Sequence, residues 1–117
     1  SLVHFSLLMI YGNMNYINQV QDFVTYLQNP LVLQRILNVN NINRNLLTQI
    51  LQRVKKGKYI TAYNLLRARI NEEGLLVNIT NGFVIGQSTE IIWKSFTPAE
   101  KSTFTTYASQ IRSRITI

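Results

Sequence analysis

Both prolines of this chain, Pro30 and Pro98, directly follow a residue that caps helices, and no other feature constrains its folding as tightly. Proline pre-sets φ for a helix's first residue and lacks the N–H that would go unpaired there. Asn29-Pro30 and Thr97-Pro98 therefore read as helix starts. Thr97-Pro98-Ala99-Glu100 adds a glutamate at the position where it can reach back to the threonine N–H, a reciprocal capping box. Beyond it Phe104, Tyr107, Ala108, Ile111 and Ile115 recur at helical steps on one face, with Arg112 and Arg114 at the C-terminal end, where cations suit the dipole.

The same period runs through earlier segments. Ile17, Val20, Phe23, Val24 and Leu27 predict a helix that Asn29-Pro30 ends, and Leu31, Leu33, Ile36 and Leu37 predict a short apolar helix after it. Five asparagines within residues 38–45 mark a connector. Over about residues 44–56, Leu46, Leu47, Ile50, Leu51 and Val54 fall in one arc, opposite Arg44, Gln49, Gln52, Arg53, Lys55 and Lys56, with Gly57 as the stop. Thr61 is placed to cap a helix running to Glu73, with Ala62, Tyr63, Leu66 and Ile70 on its core side and Gly74 as its stop. The period then changes. Residues 75–80 and 83–85 read as strands around Asn81-Gly82, the dipeptide preferred in two-residue hairpin turns. The expected fold is α+β and predominantly α-helical, with about five helices and one β-hairpin at about residues 75–86, in a single domain over residues 1–117.

Charge is distributed unevenly. The chain has a net charge of +7, and residues 23–71 contain eight cations and no acid. A solvated face mixes both signs, so such a block points to a polyanionic partner or an acidic protein surface. Helical phasing narrows it to a ridge of Arg53, Lys55, Lys56 and Lys58, with Arg44 on the same polar half and Tyr59 available to stack on a base. Arg67 and Arg69 lie about 160° apart on their helix and cannot share one groove. Arg69 and Trp93 are candidate interface residues, Arg69 with its stem along apolar surface and Trp93 as an aromatic anchor.

Groups that do chemistry are scarce. There is no cysteine, which removes thiol nucleophiles, disulfides and cysteine-based zinc sites. The one histidine, His4, sits inside the apolar run of residues 2–11. That run is far short of the roughly 20 residues needed to span a bilayer. It reads as a buried strand or helix, or as the remnant of a signal sequence. Glu72 and Glu73 point about 100° apart on a helix and do not converge on one metal. Asn78-Ile79-Thr80 matches a glycosylation acceptor that matters only in a secreted protein.

Two local resemblances follow from the quoted residues. Tyr59 and Tyr63, four apart, resemble the paired tyrosines of rolling-circle replication nucleases, whose metal-binding histidine pair this chain lacks. Asn71-Glu72-Glu73-Gly74-Leu75-Leu76 resembles the passage from recognition helix to wing in a winged helix-turn-helix domain. That resemblance implies a DNA reader. However, no room remains between Lys56 and Thr61 for a positioning helix, and residues 77–85 carry no Lys or Arg.

The sequence thus reads as a small basic protein without catalytic residues, metal or cofactor, intracellular, and associated with nucleic acid through sequence-neutral phosphate contacts. The alternative is a structural or assembly subunit, oligomeric, whose basic face docks an acidic partner. Neither a small-molecule substrate nor a membrane is expected.

Overall fold

The computed structural model describes residues 14–39, 48–52 and 60–115, and among these every regular element is helical. The helices are α1 (Met14–Leu27), α2 (Pro30–Leu37), α3 (Ala62–Leu76), α4 (Gly82–Ser95) and α5 (Pro98–Ile115). Residues 48–52, between α2 and α3, are helical as well. Helix α3 touches all four of the others; α4 packs between it and α1, and α5 lies along another of its sides.

The sequence signals at the helix starts hold. Asn29 Oδ1 accepts from the Leu31 N–H at 3.0 Å with Pro30 at the head of α2. Thr61 Oγ1 accepts from the Asn64 N–H at 3.1 Å. At α5 the capping box closes in both directions: the Thr97 N–H donates to Glu100 Oε1 at 2.8 Å, and the Glu100 N–H to Thr97 Oγ1 at 3.2 Å. Each fills a donor that a helix leaves unpaired in its first turn.

The expected hairpin is absent, and the α+β class gives way to an all-helical one. Gly74 does not stop α3, which runs on to Leu76. The stop is Asn78, at φ 61°, in the left-handed region that asparagine tolerates. Around it the Ile79 N–H donates to the Gly74 carbonyl at 2.7 Å and the Asn78 N–H to the Leu75 carbonyl at 3.4 Å, the two bonds of a Schellman end. Asn81 then caps α4, its Oδ1 accepting from the N–H groups of Phe83 at 2.9 Å and Val84 at 3.1 Å. Asn-Gly here is a cap followed by the first residue of a helix. Val84, Ile85, Ser88, Thr89 and Ile92 form the buried face of α4. Two polar residues interrupt that face, and they hid its helical period.

One core joins these elements. Phe23 and Leu27 of α1, Ile36 of α2, Leu65, Leu66 and Ile70 of α3, Ile92 of α4, and Phe104 and Ile111 of α5 are all completely or almost completely buried. Each such side chain contributes about 1.5–3 kcal/mol through burial. Ile50 and Ile60 join the same core from either side of the basic segment. Ala62 and Tyr63, expected on the core side of α3, are only half-buried, and Leu65 takes the central place.

Candidate nucleic-acid interface

Arg44, Arg53, Lys55, Lys56, Lys58 and Tyr59, the residues expected to meet phosphate and base, lie outside the described residues. What the structure describes is the frame that flanks residues 53–59 in sequence. Ile50 before them and Ile60 after them are both buried in the core. At the second of these, Arg112 of α5 donates from Nη1 to the Ile60 carbonyl at 2.6 Å. This guanidinium ties the chain to α5 one residue before Thr61 caps α3.

Arg69 is part of this internal frame. Its side chain is 10% exposed, and Nη1 meets Glu72 Oε1 at 3.0 Å. Nη2 donates to the carbonyls of Arg35 and Asn38, at the C-terminal end of α2, where helix carbonyls lack internal partners. Its Nε is buried without a partner. The stem does lie against the fold, and the charged head serves α2.

A second ion pair ties α1, α2 and α3 together. Glu73, buried despite its charge, accepts from Arg35 Nη2 at 2.7 Å, from Arg35 Nε at 3.2 Å and from the Tyr26 hydroxyl at 2.9 Å. Burial pushes its carboxyl pKa up, but hydrogen bonds from Arg35 and Tyr26 and the charges of Arg35 and Arg69 outweigh this, and the group titrates below the usual carboxylate range. Burial and the adjacent Glu73 carboxylate push the Tyr26 phenol up. The adjacent glutamates act separately, as their angular spacing predicts: Glu72 engages Arg69 and Glu73 engages Arg35. These residues, with Asn38, Leu75 and Leu76, line an open cleft of about 410 Å³.

Trp93 lies in an intramolecular aromatic cluster. The Tyr63 ring meets it edge-on at 6.3 Å, Phe96 lies at 6.3 Å, and Lys101 Nζ sits 5.4 Å from its ring centre. Sequence reasoning missed Lys101, because its partner ring belongs to a different helix. It also missed Arg67, whose guanidinium lies against Gly86 of α4; a Cβ there would come within 3.2 Å of Nη1.

These placements divide the charge. All five acids and six of the twelve cations belong to the described side chains, which leaves those with one net positive charge. The other six cations are Arg44, Arg53, Lys55, Lys56, Lys58 and Arg114, with no acid among them. Among the described residues no three His, Cys, Asp or Glu side chains group as a metal site, and no helix is long and apolar enough to cross a membrane. No protein-family model matches the chain, and the comparisons with curated proteins and with solved structures find no match either.

Proposed function

We propose that this chain is a non-enzymatic protein that associates with nucleic acid through sequence-neutral contacts of Arg53, Lys55, Lys56 and Lys58 with phosphate, supported by Arg44 and Tyr59. The observation that carries this reading is the division of charge. Glu72, Glu73 and Glu90 are paired with Arg69, Arg35 and Lys94, and Glu100 caps α5, so these acids are already engaged within the fold. Four of the six remaining cations, Arg53, Lys55, Lys56 and Lys58, fall within six residues of sequence between the buried Ile50 and Ile60. A polyanion is the partner that such an excess attracts, and release of its counterions makes the attraction depend on salt.

Binding of two unrelated duplexes, measured across a salt series, tests this. Wild-type affinity should fall linearly with salt on logarithmic axes, equally for both sequences. K55E/K56E/K58E should flatten the slope by about 3, as each phosphate contact contributes about 0.9 to it. Absence of binding at low salt, or a loss confined to one sequence, defeats the proposal.

A second reading, an assembly subunit, draws on the exposed leucines. Leu75 and Leu76, at 62% and 71% exposure, border the Arg35–Glu73 cleft, and Leu31, at 70%, lies one turn before Arg35. Size-exclusion chromatography with light scattering separates the two readings. A defined oligomer without nucleic-acid affinity favours assembly.

A further inference from the structure

We propose that Lys101, Trp93, Tyr63 and Arg67 form a base-stacking track for single-stranded nucleic acid along the seam between α3 and α4. The inference rests on the nucleic-acid reading above and names the form of nucleic acid bound. Tyr63 and Arg67 are one turn apart on α3 and share a face. Across the seam Tyr63 meets Trp93 edge-on, at an interplanar angle of 84°, and Arg67 lies against Gly86 two turns earlier on α4. Lys101 Nζ of α5 lies over the indole, 5.4 Å from its ring centre. The order along the seam is therefore cation, ring, ring, cation. Arg67 is exposed, and the other three are only partly covered.

Electrostatics set this strip apart from the rest of the described surface. Arg35, Arg69 and Lys94 each hold a carboxylate, and Arg112 holds a carbonyl. Among the described residues Arg67 and Lys101 pair with no carboxylate. The one acid on α4, Glu90, is held by Lys94 at 3.0 Å, and the acids of α3 and α5 are engaged elsewhere. Position adds to this: Tyr63 follows Thr61, the cap of α3, just after the sequence that contains Arg53, Lys55, Lys56, Lys58 and Tyr59.

The ligand is single-stranded because the strip offers π-surface. Bases in a duplex are already stacked on one another, whereas unpaired bases gain by stacking on aromatic rings whatever their identity. Lys101 is held over the indole by a weak cation–π attraction. A phosphate competes for its ammonium, and its departure opens the ring face to a base.

Trp93 is the only tryptophan, so its fluorescence reports on the strip directly. The full chain is titrated with an oligothymidylate and with a duplex of equal length, alongside R67E, K101E and K55E/K56E/K58E. Circular dichroism and thermal melting establish that each variant is folded. The single strand should quench Trp93 and the duplex should not, and R67E and K101E should each weaken single-strand binding by about tenfold. Unchanged Trp93 emission and unchanged affinity in R67E, with binding still lost in K55E/K56E/K58E, overturn the track and leave the phosphate-contact reading standing. Absence of binding by either nucleic acid at low salt overturns both.

Discussion

Gly74 and Gly82 lie eight residues apart and call for opposite treatment. A Cβ at Gly74 would stand 2.5 Å from the Ile79 carbonyl oxygen and 2.9 Å from Ile85 Cδ1, because the turn after α3 folds back over this point. A Cβ at Gly82 would meet nothing within 4 Å. Gly74→Ala should therefore lower stability by about 1–3 kcal/mol through overpacking and displacement of the turn. Gly82→Ala should raise it by about 0.5 kcal/mol by restricting the unfolded chain. Urea unfolding of both variants checks the pair; equal effects would mean that the α3–α4 turn does not pack as described. In the sequence both glycines look like punctuation. Contact with Ile79 and Ile85 is what makes one of them irreplaceable, and that contact exists only after the turn has closed. Arg69 is a similar case: its partners include the carbonyls of Arg35 and Asn38, more than thirty residues earlier.

At the scale of elements, two asparagines make the connection between α3 and α4. Asn78 ends one helix in the left-handed conformation, and Asn81 begins the next with its side-chain oxygen. Asn81→Ala should cost about 1 kcal/mol, while Asn81→Gly should cost only a few tenths, since glycine also serves as a cap. Chemical denaturation of the two variants distinguishes them. Equal losses would count against a capping role. The same dipeptide supports a hairpin reading because Asn-Gly suits both a tight turn and a helix start. Short apolar runs such as Leu75-Leu76-Val77 and Phe83-Val84-Ile85 do not reveal their period by themselves. Pro98 and Glu100 carried more information, since few structures other than a helix start accommodate that combination.

At the scale of the whole molecule, Glu73 is the charged group that joins three helices. Its carboxyl titrates below its ordinary value, so its contribution is complete above the unfolded pKa of about 4.3 and is lost as pH falls through the lower folded value. Glu73→Gln should cost about 1–3 kcal/mol near neutrality by weakening hydrogen bonds to a charged group. The gap from wild type should then narrow as pH falls from about 5 toward 3. Unfolding free energies measured across that range check it. A gap independent of pH would show that the carboxylate charge adds nothing to stability.

Local chemistry in the sequence determined where α2, α3 and α5 begin, which faces of α1 and α5 turn inward, and where the excess positive charge lies. These depend on neighbouring residues: a cap on its own helix, a side chain repeating each turn, an uninterrupted absence of acid. Tertiary structure decided that residues 75–86 join two helices, that Ser88 and Thr89 lie inside, and that Glu73 is buried with Arg35 and Tyr26. It also decided which described cations hold carboxylates, and that Arg67 lies against Gly86 while Lys101 sits over the Trp93 ring. A pairing between helices depends on how they pack, and the sequence of either helix alone does not contain that information.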